Sequence, residues 1–420
     1  MPARPLHGRR WLRAALVAAI AAAAPLAAAD YVDIERPATM VVGPVSGHAV
    51  SARLGPHRLG RCSSPLPAQP RESWRYDLPG PLDSPPLVDA EGAVLAVTGN
   101  RRAVRVAPDG APTWRVSIGR STPALAPVLT SDGALAVVCA DGRVRRVSSS
   151  GGLRVGGPLR IQTRKASAVP LALPDGGLVI AGERQLVQLD ARDQPVARAE
   201  LPGLPVGGVL RYGRGFLVTL EDGAVIAWQP PAPPRVVAEL PGGPDDGAAL
   251  IGPHLLAAVV DRSSVLTMDL RSGQTRLLAA GSGVTRQFDG PVVLDPAGRV
   301  VVASVVGELV VFDRRGTAVR RLALENEALI FTGDAGAPLP SLFRKVELEP
   351  SPPLIVDGAG RIAFVRASGR VGTVDPSAPT QAVRVVTASF CRQPLAVLPA
   401  GRGRMLVACQ SGSLGMFTDG

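Results

Sequence analysis

The sequence predicts an all-β protein assembled from eight like units of four antiparallel strands, closed into a ring by strands from its two ends. Three observations carry this. Short valine-rich runs with a rough period of two alternate with Asp-Gly and Gly turns, the mark of short antiparallel strands. The pattern returns at a near-constant interval. The two ends of the repeating region are also each short of a complementary piece of one unit.

One unit is laid out plainly between Asp289 and Leu324. The apolar run Val292 to Leu294 is followed by a turn at Asp295 to Gly298, the strand-like Arg299 to Ala303, and a second turn at Gly307. Then come Glu308 to Phe312, the polar turn Asp313 to Gly316, and a last strand from Thr317 to Leu324. Aligned on the small or proline residue that opens the first strand, the units begin at Pro86, Pro127, Pro170, Gly208, Ala249, Pro291, Pro353 and Pro394. Successive intervals are 41, 43, 38, 41, 42, 62 and 41 residues, so one interval carries an insertion. A four-stranded unit of about 40 residues has the size of a β-propeller blade. The last unit stops at Phe417 to Gly420, after its third strand, whereas Ser73 to Leu78 precedes the first unit as an orphan fourth strand. Its Trp74-Arg75 repeats the Trp114-Arg115 found in the fourth strand of unit one. Pairing the two ends in one blade removes the edges that an open array would expose. The expectation is an eight-bladed β-propeller over residues 73–420.

Residues 1–29 read as an export signal: a basic start, an apolar run from Ala14 to Ala29, and the small-residue pattern Ala27-Ala28-Ala29 before Asp30. The run contains Pro25 and falls short of the ~20 residues a spanning helix needs, so a cleaved signal is expected, with no membrane span in the mature chain. Arg9-Arg10 leaves a twin-arginine route open beside the general one. Residues 30–72, rich in Pro, Arg, Ser and Gly, read as a linker or a wrapping arm. The long interval places an insertion at about 325–348, holding the apolar Leu329-Ile330-Phe331. Binding groups of propellers commonly sit on loops at one end of the ring, which makes these three residues the candidate partner-binding surface.

Hydrophobic residues make up 46% of the chain, enough for a large core, but aromatics only 4%. The core is therefore expected to be Val, Leu, Ala and Ile. Net charge is +11, and Lys165 and Lys345 are the only lysines among 46 basic residues. The arginines are scattered through turns without the clustered patch or interleaved aromatics that phosphate tracking requires. They read as a coding bias on a solvated surface, and nucleic acid is not an expected partner.

The run Pro127 to Val138 followed by Asp141-Gly142-Arg143-Val144, and the ending Asp269-Leu270-Arg271-Ser272-Gly273 with Leu277, resemble the repeats of pyrroloquinoline-quinone-type (PQQ-like) β-propellers. Trp stands at the docking position in only two units, so blade-to-blade tryptophan stacking is not expected to be general. In the quinoprotein enzymes of that superfamily the cofactor lies on a tryptophan beneath adjacent cysteines, near a calcium held by Glu, Asn and Asp. This chain has no Cys-Cys pair, and Asn occurs only at Asn100 and Asn326. No cofactor is expected. His48, His57 and His254 show no triad spacing, and the Asp-Gly pairs lack the alternating ligands of calcium loops. No catalytic, cofactor-binding or metal-ligating residue is therefore nominated. His254, in Gly252-Pro253-His254-Leu255, reads as a solvated turn residue.

Four cysteines in an exported chain invite disulfides. Cys391 and Cys409 flank the Pro399 to Gly403 hairpin almost symmetrically and form the candidate pair; Cys62 and Cys139 read as buried or free thiols. Similar propellers include an outer-membrane protein assembly lipoprotein whose work is protein contact, so the resemblance implies another envelope protein as partner. The expected function is that of an exported, monomeric, non-catalytic scaffold in the periplasm or outside the cell. The alternatives are a degenerate quinoprotein-type or hydrolytic propeller enzyme, or a binder of envelope polysaccharide.

Overall fold

A computed structural model describes residues 49, 54, 56–163, 168–280, 288–304, 308–313, 316–323, 354–366, 369–376 and 383–420. The expected signal at 1–29, much of the arm before Pro56, and the insertion with Leu329, Ile330 and Phe331 lie outside the described residues. All regular structure among the described residues is strand, and they contain no helix long and apolar enough to cross a membrane.

The strands form eight antiparallel four-stranded sheets, the blades of a β-propeller. Blades 1 to 7 span 87–117, 128–158, 171–200, 205–239, 244–280, 288–323 and 355–387. Each runs in chain order from an innermost first strand to an outermost fourth. Blade 8 takes three strands, Pro394–Pro399, Arg404–Cys409 and Ser413–Asp419, from the C-terminal end and its fourth, Pro70–Asp77, from before blade 1. The register runs from Pro70 opposite Asp419 to Asp77 opposite Ser413, with a bulge between Glu72 and Trp74. The closing strand begins at Pro70, slightly earlier than the sequence pattern shows, because Pro70 to Glu72 lack the alternation that marks Ser73 onward.

Second and third strands are buried on both faces, as in Val94–Thr98 and Gly215–Leu220, whereas fourth strands alternate, as in Pro112–Ser117. Most clusters of buried side chains span two neighbouring blades, and one spans blades 7, 8 and 1. Leu217 and Val225 of blade 4 pack with Leu256 and Leu266 of blade 5, and Val301 and Leu309 of blade 6 pack with Ile362 and Val374 of blade 7. Sheets stacked this closely are filled by Val, Leu and Ala, which accounts for the scarcity of aromatic residues. Where a ring packs on a blade, glycine makes room: a Cβ at Gly415 would lie 2.2 Å from Cζ of Phe390, which reaches over from the turn before the first strand of blade 8.

One register position on the fourth strands ties several blades to the next. It holds Trp74 in blade 8 and Trp114 in blade 1, opposite Met416 and Arg105 respectively. Trp74 donates its indole N–H to the Pro108 carbonyl at 2.9 Å, and Trp114 donates to Ser149 at 2.9 Å. Each ring lies on a left-handed glycine of the neighbour's turn, Gly110 or Gly151. In blades 2, 4, 5, 6 and 7 the same register position holds Arg154, Arg235, Arg276, Arg320 and Arg384; blade 3 has Ala197. Arg154 donates to the Ala191 carbonyl at 2.8 Å, the counterpart of the Ser149 contact, and Arg320 donates to that of Pro376.

Where the tryptophans meet a glycine, Arg154 meets Asp193, which itself adopts a left-handed φ of 66°. That carboxylate is fully buried between Arg154, at 3.0 Å, and Arg146, at 2.7 Å. A planar guanidinium can stack and donate in a fixed direction, so it replaces the indole at this joint. Five arginines thus stand at one structural position on the fourth strands rather than scattered through turns, four of them still exposed and Arg320 half-buried. They also put a cation on most outer edges, which discourages edge-to-edge pairing.

Two outcomes test this account. Gly415→Val, which forces Phe390 out of its seat, should lower stability by about 1–3 kcal/mol, as overpacking does, read from the urea midpoint. Trp114→Ala should cost about 1–2 kcal/mol by the same measurement, whereas Trp114→Arg should recover more than half of that loss; equal loss from both would show that the guanidinium does not substitute.

Candidate functional site

In a propeller the innermost strands line the central axis, and this is where the arm lies. The first strand of each blade bonds to the second along one edge and turns its other edge to the channel. In blades 1, 4, 5, 6 and 7 a residue at or next to the end of that strand donates its N–H to the arm. Arg211 N donates to Pro56 O at 3.0 Å in blade 4, Leu250 N to His57 O at 3.2 Å in blade 5, and Leu294 N to Leu59 O at 3.1 Å in blade 6. In blade 7 Val356 N donates to Gly60 O at 2.9 Å, and Cys62 N donates back to Val356 O at 2.9 Å. Ala49 makes the reciprocal pair with Val88 of blade 1, both bonds at 3.1 Å. The arm therefore passes the blades in their own order, held by backbone atoms. The described residues Pro56 to Gly60, with Cys62, thus lie against the first strands of blades 4 to 7.

Side chains fix the arc at a few points. Gly60 has φ of 60°, and a Cβ there would meet Cγ2 of Val293 at 2.9 Å, so only glycine fits. Arg58, 5% exposed, lies against Gly208 of blade 4. Leu66, 1% exposed, donates its N–H to Oδ2 of Asp357 at 2.9 Å, and its carbonyl accepts from Arg361 at 2.5 Å. Burial, with Asp357 nearby, pushes the Cys62 thiol up to about 12, which leaves it unreactive at neutral pH. His57, half-buried beside Arg211, has its pKa lowered by burial first and by that guanidinium second. Nothing in the sequence of the arm announces these contacts, because its backbone makes most of them.

Cys391 and Cys409 are disulfide-bonded, with Cα atoms 5.6 Å apart. They are not opposite one another in the ladder: Pro394 faces Cys409, a bulge follows, and Cys391 reaches over from the loop before the strand. Cys62 and Cys139 are buried free thiols, and burial raises Cys139 to about 11. His254 is more than a solvated turn residue. Its Nδ1 lies 3.0 Å from the Tyr212 hydroxyl, and the rings meet edge to face, joining the turns of blades 4 and 5.

The residues do not fit a quinone site of the enzyme type. Trp228 is 2% exposed and packs on Phe216 inside blade 4, while Trp74 and Trp114 are outer joints. Asn100 is held in its own turn by Thr98 and the Pro79 carbonyl. Among the described residues no three His, Cys, Asp or Glu side chains are grouped as metal ligands.

Residues 67–194 match the family model PQQ_2, described as "Outer membrane protein assembly factor BamB". No curated protein matches the chain. Among solved structures, that of BamB from Moraxella catarrhalis aligns at 14% identity with a TM-score of 0.59, covering 83% of this chain and 99% of that one. The computationally designed Ika8 protein aligns at 13% identity and a TM-score of 0.59, covering 81% and 98%. At these identities the likeness to solved structures speaks to the fold, while the family match over residues 67–194 agrees with the repeat motifs read from that stretch.

The lowered pKa of His57 has a signed consequence. Its neutral form is the one the fold accepts, so its stabilising contribution is complete above the ordinary imidazole value of 6.5 and is lost as pH falls below that towards the lowered value. Unfolding midpoints measured from pH 7.5 to 5 should fall with acid in the wild type and fall less steeply in His57→Gln; identical slopes would show that His57 does not titrate in that range.

Proposed function

We propose that this PQQ-like propeller is an exported, non-catalytic protein-binding scaffold of the cell envelope. The observation that carries the reading is the family match over residues 67–194 to a model named for an outer-membrane protein assembly factor. The BamB likeness over most of the chain supports it. A ring of stacked sheets whose channel rim is partly taken by its own backbone offers its loops, rather than a deep pocket, to partners. Export is supported by the basic start, apolar run and Ala27-Ala28-Ala29 pattern of residues 1–29, which points to the periplasm or the cell exterior. The partner is another envelope protein, met through the long insertion between blades 6 and 7, where Leu329, Ile330 and Phe331 supply an apolar anchor.

Replacing Leu329, Ile330 and Phe331 together with serine should abolish capture of the partner from an envelope extract, with the circular-dichroism spectrum and urea midpoint unchanged. Undiminished capture by the folded triple variant would remove the insertion as the contact surface.

A further inference from the structure

The joints between blades repeat one seat, and at one joint the chain leaves it uncovered. At three joints a left-handed glycine in the turn before the fourth strand is covered by the register-matched side chain of the preceding blade. Trp74 lies 3.0 Å from a Cβ built at Gly110, Trp114 lies 3.1 Å from one at Gly151, and Nε of Arg276 lies 3.2 Å from one at Gly316. Gly273 of blade 5 is the same kind of residue, with φ of 70° and its N–H donated to the Asp269 carbonyl at 2.8 Å. Among the described residues, nothing but its chain neighbours lies within 4 Å of a Cβ built there. This turn differs from the others in length: its closing bond spans Asp269 to Gly273, one residue more than Ala107 to Gly110, Ser148 to Gly151 or Asp313 to Gly316. Arg235 holds the register position of Trp114 in blade 4, yet it is exposed and does not reach the glycine. Around this turn the setting is aromatic, aliphatic and cationic. The His254 carbonyl accepts the Leu270 N–H at 2.7 Å, and the His254 ring meets Tyr212 edge to face. Burial raises the Tyr212 pKa, and the nearby charges of Arg271 and Arg235 act against that rise. Val236 and Leu277, 52% and 48% exposed, stand on the fourth strands of the same two blades.

We propose that the open seat over Gly273 is a docking site for a tryptophan side chain of a protein partner. The chain's own indoles on Gly110 and Gly151 show the shape that such a seat accepts. Arg276 on Gly316 shows that a guanidinium fits as well, but charge decides between them here. Arg235 and Arg271 repel a third cation, whereas a guanidinium against an indole face is attracted to it. An aromatic anchor held in a fixed recess is also the kind of contact that concentrates binding energy in few residues. The inference deepens the scaffold reading and rests on it only in taking the partner to be a protein. The seat, between blades 4 and 5, is a different surface from the insertion between blades 6 and 7.

The test adds N-acetyl-tryptophanamide to the full-length chain and follows backbone amide shifts by NMR. Saturable shifts should centre on His254 and on Leu270 to Gly273, and N-acetyl-leucinamide at equal concentration should move them about fivefold less. Arg235→Trp should cover the glycine in cis, as Trp114 covers Gly151, raising the urea midpoint and abolishing the probe's shifts. Arg235→Ala, at an exposed position, keeps the test open should the tryptophan variant misfold: it should weaken the probe about threefold by removing the cation over the indole. No saturable shift at this turn, equal shifts from the two amides, or undiminished binding by either folded variant overturns the proposal. The probe needs neither the partner nor the insertion, so these outcomes stand whatever the serine variant does in the capture assay.

Discussion

The structure depends on one set of hydrogen bonds, those between Pro70–Asp77 and Ser413–Asp419. Every other blade is made from a continuous stretch of chain and is held to its neighbours by side-chain packing. Blade 8 alone must recruit a strand from more than 300 residues away in sequence, as the bond between Gln69 N and Asp419 Oδ1 records with a separation of 350. The pairing carries a loop-closure cost that grows only slowly with length, and in return the repeat array loses both free edges. The disulfide and the seat of Phe390 over Gly415 lie in this same blade, so its cross-links are concentrated where the ring is joined.

That requirement also dictates the path of the arm. The strand that completes blade 8 is outermost, yet the chain leading to it passes the innermost strands of blades 4 to 7. Between Leu66 and Pro70 it moves from the channel to the periphery, anchored by Asp357 and Arg361 of blade 7 as it turns. The described part of the arm thereby contacts the ring at both radii, with Arg58, Gly60, Cys62 and Leu66 buried in it.

The blade count, the strand order and the closure were legible because they rest on side-chain patterning: alternating valines, Gly turns, and the matching Trp74-Arg75 and Trp114-Arg115. What stayed hidden rests on other forces. The arm binds through carbonyls that every residue possesses, so Pro56 to Gly60 leave no periodic trace. The inter-blade arginines were missed because arginine in an exposed strand reads as solvated surface. Placing Arg154, Arg276 and Arg320 beside Trp114 in one register would have exposed their shared duty. Cys391 and Cys409 lie almost symmetrically about the hairpin, but Cys391 precedes the strand that begins at Pro394 and so stands off the ladder. The residues nominated for a partner, Leu329 to Phe331, lie outside the described structure, and the support for them is their place in the repeat spacing.

A blade composed from both ends has a consequence in time. Blades 1 to 7 can each acquire all four strands as the ribosome delivers them, but Pro70–Asp77 must wait, early-made and unmatched, until Ser413–Asp419 has been polymerised. The circle is therefore sealed only once that last-made strand exists, and a chain caught earlier carries two raw flanks that its finished form never shows.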